Sequence, residues 1–172
     1  MKKLVGISGS LRQHSANTAI LRALAEQAPA GVQVEVLDVT AVPLFNEDLE
    51  GSLPNAVVQL REAVASSDGV IFASPEYNHG TSGVLKNLVD WLSRPSGKSV
   101  LRGKKTLLLS ASPAFTGGVR SQAQLSYSLQ GIGAVAVDHP EIVIAQVHTK
   151  IEAGRFTCSN TLAFINEALK RF

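Results

Sequence analysis

Short, unbroken apolar runs recur along this chain, and each is followed by a segment with helical periodicity. The segments 4–7, 32–37, 70–73 and 106–109 are each read as a strand buried on both faces. A strand of that kind is apolar on both faces, which is the condition of a parallel sheet covered by helices. Between the runs, Leu21, Leu24, Ala25 and Ala28 share one helical face, as do Val57, Leu60 and Val64, and Leu85, Leu88, Val89 and Leu92. Leu162, Ile165, Leu169 and Phe172 predict a terminal helix, and a fifth strand is expected within residues 134–147, interrupted near Pro140. A β-α unit repeated about five times is the pattern of a doubly wound α/β domain. At 172 residues, 45% of them hydrophobic, the chain is read as one domain, residues 1–172, with a full core.

Composition narrows the function classes. The formal net charge is +2, and the longest basic runs are the pairs Lys2-Lys3, Lys104-Lys105 and Lys170-Arg171. These are too short for a nucleic-acid stripe. One cysteine, Cys158, gives neither an internal disulfide nor a metal cluster. No apolar run approaches the roughly 20 residues of a membrane span, and the short run after Met1-Lys2-Lys3 falls short of a signal peptide. A soluble cytoplasmic protein without membrane insertion or resident metal is the expectation.

In such a sheet, ligands bind beyond the carboxyl ends of the strands, at the switch in strand order. The loops after strands one, three and four are rich in Gly, Ser, Asn or Pro; the loop after strand two is not. The first loop opens a helix with two glycines, three serines, an arginine and an asparagine. Small residues, hydroxyls, a fixed cation and a helix N-terminus are what a phosphate requires. A dinucleotide fingerprint fails, because the glycine after Gly9 is Gly31. A triphosphate loop fails too, because Gly97-Lys98-Ser99 has leucine at position 92 and no strand before it. A monophosphate loop remains, with Ser10, Ser15, Asn17 and Thr18 as hydrogen-bonding groups and Arg12 as a bidentate partner for the dianion. Helix capping by Ser15 or Asn17 is compatible with that role.

The second loop, SPEYNHGTSGVLKNLVDWL (residues 74–92), leaves strand geometry at Pro75 and passes Gly80 and Gly83 into a helix starting near Ser82. It can offer backbone amides to a flat heterocycle, with Tyr77 alongside and Asn78 as donor and acceptor. Glu76 is read either as a cap of the following helix or as a hydrogen-bonding group at a subunit interface; His79 is read as a loop or interface residue, and Trp91 as packing. In the third loop, SASPAFTGGVRSQ (residues 110–122), Gly117-Gly118 permits close approach of a planar ring and Ser112 can donate to its edge. Arg120, a cation at a helix start, is read either as answering a negative charge such as Glu141 or a nucleotide phosphate, or as a solvated arginine. Residues 38–54 form the longest irregular stretch, either a surface crossover or a lid or partner contact.

Together GSLRQHSAN (residues 9–17), PEYNHGTSGVLKNLVDWLSR (75–94) and SPAFTGGVRSQ (112–122) resemble the NAD(P)H-dependent FMN reductase family, which includes bacterial quinone and chromate reductases. Relatives often carry another glycine near Ala114 or Thr116. The resemblance implies a flavodoxin-like, five-stranded, three-layer α/β/α domain. It implies an FMN site built from Ser10, Leu11, Arg12, Ser15, Asn17, Thr18, Pro75, Glu76, Tyr77, Asn78, Gly80, Ser112, Gly117 and Gly118, with no catalytic side chain. It further implies hydride transfer from NADPH or NADH to flavin N5, then two electrons to a quinone or free flavin in a ping-pong cycle, with chromate or azo compounds as other acceptors, in a homodimer or homotetramer. Two competing readings are an electron-carrier flavodoxin and a flavin-free module for a phosphorylated ligand or protein partner. Carriers are usually acidic; this chain is not.

Overall fold

The structure, a computed structural model, describes residues 1–172. Along the chain run β1 (Lys2–Ser8), α1 (Ala16–Glu26), β2 (Val32–Val36), α2 (Asn55–Ser66) and β3 (Gly69–Ser74). A hairpin of β4 (Glu76–Tyr77) and β5 (Gly80–Thr81) precedes α3 (Gly83–Ser93), β6 (Lys105–Ala111) and α4 (Val119–Gly131). Then come β7 (Val135–Ala136), β8 (Ile142–Ile144), a small pair β9 (Ile151–Glu152) and β10 (Arg155–Phe156), and α5 (Ser159–Leu169).

The main sheet is parallel throughout, in the order β2-β1-β3-β6, and the outer side of β6 is shared by β7 and β8. Lys105 at the start of β6 faces Val135, whereas Leu109 near its end faces Ile142. β7 and β8 are therefore one fifth strand broken between them, and the break holds Pro140, which has no N–H to give a ladder.

β3 shows why the central strands are unbroken apolar runs. Val70 and Phe72 join Leu60 of α2, Leu85, Leu88 and Leu92 of α3, and Leu125 and Leu129 of α4 in one core. The intervening Ile71 and Ala73 join Ile20, Leu21 and Leu24 of α1 with Ile165 and Leu169 of α5 in the other. Each such side chain contributes about 1.5–3 kcal/mol when fully buried, so both faces of the sheet are held by helices.

Three local expectations are corrected. β2 is an edge strand, and Gln33 and Glu35 are exposed while Val34 is buried; its apolar run covers one face only. Ala25 points to solvent because the buried stripe of α1 is centred on Ile20, Leu21 and Leu24. Phe172 lies beyond α5 yet is buried against Gly69, where a Cβ would come within 2.2 Å of its ring.

Residues 38–54 form a fixed crossover. Asn87 of α3 accepts from Phe45 N at 2.7 Å and donates to Pro43 O at 2.9 Å, and Trp91 Nε1 donates to the same carbonyl at 2.9 Å. Phe45 meets Trp91 edge-on at 4.9 Å, and Arg94 pairs with Glu47 and Glu50.

Candidate functional site

From β1 the chain steps outward to β2, then returns to lay β3 on the other side of β1. The loops after β1 and β3 part at that reversal and open a crevice at the carboxyl ends of the strands. The first loop shapes itself almost entirely from its own groups. Ser8 Oγ accepts from Ser10 N at 3.3 Å and from Thr18 Oγ1 at 2.8 Å. Ser10 Oγ accepts from Arg12 N, and Ser15 caps α1 by accepting from Thr18 N at 3.2 Å. Ser10, Ser15 and Asn17 are buried, whereas Arg12 is exposed and belongs to no ion pair. The first N–H groups of a helix have no partner within it, so this loop sets free donors, hydroxyls and an uncommitted guanidinium around one point.

That point is a cavity of about 270 Å³. Ser10, Arg12, Ser15 and Asn17 line it from the first loop, Pro75, Glu76 and Tyr77 from the second, and Ser112 from the third. Asn17 carries the sharpest chemical signal. Its Nδ2 donates to Ala111 O at 3.3 Å, which fixes the amide and leaves Oδ1 buried with no partner. A buried acceptor without a donor costs about 1–3 kcal/mol, and a ligand hydroxyl reaching into the cavity would satisfy it. A ribityl chain carries such hydroxyls, and Arg12 with the α1 terminus suits the phosphate that follows one. The residues present fit flavin mononucleotide.

The remaining expected residues are distributed differently. Leu11 and Thr18 line a neighbouring hollow of about 390 Å³ with Arg22 and Asp38, and Ser10 and Arg12 border both hollows. Asp38 there is held below the usual carboxylate range by the Thr40 backbone N–H and then by the Thr40 hydroxyl. Asn78 is at the hairpin tip, where it and His79 both take positive φ, 51° and 64°. Two consecutive left-handed residues between paired strands form the turn whose twist matches a hairpin. Gly80 lies under Gln124, whose Oε1 would be 2.9 Å from an added Cβ.

Gly117 and Gly118 are buried, and what approaches them closely is the protein itself. A Cβ on Gly117 would come within 2.5 Å of Val143 Cγ1 and 3.0 Å of Ala145 N, and one on Gly118 within 3.1 Å of Ser110 Cβ. Glu76 does cap a helix, but it caps α4 rather than the α3 that follows it. Its Oε2 accepts from Arg120 N at 2.9 Å and Ser121 N at 3.2 Å. Arg120 accordingly answers Glu76, at 3.4 Å, and not Glu141. His14 and His148 at the cavity rim were not singled out from sequence. His14 stands inside the first loop among stronger phosphate groups. His148 follows the broken fifth strand, and Val147 N donating to Ser112 O at 3.1 Å brings that segment to the site; only the rule that every strand ends on this face points to it. Cys158 lies elsewhere, half-buried at the start of α5, where the Thr161 hydroxyl lowers its thiol.

Residues 2–149 match the family described as NADPH-dependent FMN reductase. The chain is 36% identical over 170 residues to an NAD(P)H-dependent FMN reductase of Pseudomonas aeruginosa, covering 98% of this chain and 91% of that one. It is 30% identical to a 2-hydroxy-1,4-benzoquinone reductase of a Burkholderia species, over 99% of this chain and 93% of the relative. Its fold superposes on the flavoenzyme NAD(P)H:(acceptor) oxidoreductase of Paracoccus denitrificans with a TM-score of 0.86 at 30% identity, covering 99% and 97% of the two chains.

Proposed function

The chain belongs to the NADPH-dependent FMN reductase family, and from that premise we propose that it oxidises NAD(P)H through bound FMN and passes two electrons to a quinone or to free flavin. The observation that carries the reading is a cavity lined by Asn17, whose buried Oδ1 has no partner, together with hydroxyls, a helix N-terminus and Arg12. Bound FMN supplies a two-electron relay between hydride donor and acceptor. The protein's part is to hold and orient. Arg12, Ser10, Ser15 and the start of α1 anchor the phosphate; Asn17 takes a ribityl hydroxyl; Pro75, Tyr77 and Ser112 border the chain beyond it. Chromate and azo compounds are further acceptors that this chemistry can serve.

Tyr77 and Phe115 are 48% and 85% exposed on the second and third loops. Such apolar surface supports a homodimer or homotetramer as the working unit. No helix is long and apolar enough to cross a membrane, and the cytoplasm, where reduced nicotinamide nucleotides are regenerated, is the compartment this reading assigns. The test is steady-state oxidation of NADPH and of NADH with a soluble quinone. Turnover by the FMN-loaded protein alone, with parallel double-reciprocal lines, is expected. Flavin retention without turnover would replace the reading with that of an electron carrier.

A further inference from the structure

α4 starts without a cap of its own. Its N-cap is Gly118, left-handed at φ 91°, and offers no side chain to the first N–H groups. The missing acceptor is delivered from 44 residues earlier in the chain. The Glu76 side chain is only 10% exposed, and its Oε2 takes the N–H groups of both Arg120 and Ser121 while Oε1 faces the Arg120 guanidinium. The helix dipole and Arg120 compensate the buried charge from the same side.

Two further bonds join the same partners. Ser121 Oγ donates to Pro75 O at 2.8 Å and also meets Ser74 Oγ. At the other end of the hairpin, Thr81 N donates to Gln124 Oε1 at 2.7 Å. The hairpin is thus fastened to α4 at Pro75, Glu76 and Thr81, and only Tyr77, Asn78, His79 and Gly80 lie between the fasteners. Gly118, at the start of α4, is within reach of Glu76, since a Cβ there would be 3.6 Å from Glu76 Cβ.

We infer that Glu76 is a positioning residue: its carboxylate locks the hairpin that carries Tyr77 and Asn78 to the start of α4, and so sets the width of the cavity between the second and third loops. It acts on the cofactor through the loop. Oε2 accepts two N–H groups of α4, and Oε1 faces the Arg120 guanidinium and, at 4.0 Å, His79, so the partners that fix this carboxylate belong to the protein. The inference rests on the FMN reading above.

Glu76→Ala and Glu76→Gln separate the possibilities, because a glutamine carbonyl can still accept both backbone N–H groups while carrying no charge. Two readouts are needed. The first is amide hydrogen exchange at Arg120 and Ser121 in the cofactor-free protein. The second is FMN affinity by flavin fluorescence titration. In Glu76→Ala, exchange at the two amides should accelerate about tenfold and the FMN dissociation constant should rise about tenfold, the scale of losing a charged hydrogen bond. Glu76→Gln should stay within about threefold of the parent on both. Unchanged exchange in Glu76→Ala would remove the fastening. Faster exchange with unchanged affinity would reduce it to a plain helix cap. Equal loss of affinity in Gln and Ala, with exchange preserved in Gln, would make the charge itself a cofactor contact. Should Glu76→Ala fail to fold, Gln124→Ala releases the other end of the hairpin, and a rise of about threefold in the FMN dissociation constant is expected; no change there would equally overturn the locking role. If the parent binds no FMN, the cofactor reading fails, while the exchange measurement still reports on the lock.

Discussion

The first and second loops border the same cavity but are built on opposite plans. The loop after β1 is closed mostly by its own residues, with Thr18 to Ser8 spanning ten positions; its one long side-chain bond is Asn17 to Ala111 O. The hairpin after β3 is closed by α4, through bonds spanning 43 to 46 positions. A site made from one local and one long-range loop can keep its anion cradle while the opposite wall shifts. The cradle is a property of one sequence segment, whereas the wall depends on the whole right-hand half of the sheet staying in register.

Substitutions can break that contrast, and the largest effect is expected on the long-range side. Gly117→Ala would push a methyl into Val143 and the backbone at Ala145 while keeping a left-handed φ of 62°. A loss of about 2–4 kcal/mol in urea unfolding is expected from overpacking and the conformational penalty together. An unchanged midpoint would mean that the third loop is free to move away from β8.

Arg12→Ala tests the local side. FMN affinity should fall by about 1.5–3 kcal/mol, the range for a hydrogen bond to a charged group. The cofactor-free protein should unfold within about 0.5 kcal/mol of the parent, because Arg12 is an exposed residue without an ion pair. Calorimetric titration and chemical denaturation read the two separately, and unchanged affinity would take Arg12 out of the phosphate cradle. Ser15→Ala should lower the stability of the cofactor-free protein by about 1 kcal/mol through loss of the α1 cap, measurable as a shift in thermal midpoint. Smallest of all is Leu11→Ser. Leu11 is 54% exposed and lines the neighbouring hollow, so FMN affinity should change by no more than about 0.5 kcal/mol; a larger loss in the same titration would place the cofactor across both hollows.

The same contrast explains what was legible in the sequence. The sheet was, because strands buried on both faces leave unbroken apolar runs, and Pro140 marked the break in the fifth strand. In the first loop the sequence grouped Ser10, Arg12, Ser15 and Asn17, and these four line one cavity; the bond from Asn17 to Ala111 O, 94 positions away, was not legible. Leu11 and Thr18 sit in the same segment but line the neighbouring hollow, which shares Ser10 and Arg12 with the cavity, and spacing alone does not reveal that. The role of Glu76 was hidden for a different reason. Its partners are backbone N–H groups on another helix, and a backbone donor carries no residue signature. Gly117-Gly118 showed that something approaches closely, without showing that it is β8 at Gly117 and Ser110 of β6 at Gly118.

The most direct measurement is the visible spectrum of the purified protein after FMN soaking and desalting, recorded before and after anaerobic addition of NADPH and then of a quinone. Retained flavin absorbance that bleaches with NADPH and returns with the quinone is the expected result. A colourless protein would mean that the cavity at Asn17 and Arg12 does not hold FMN, and a retained flavin that neither NADPH nor NADH bleaches would contradict the reductase function.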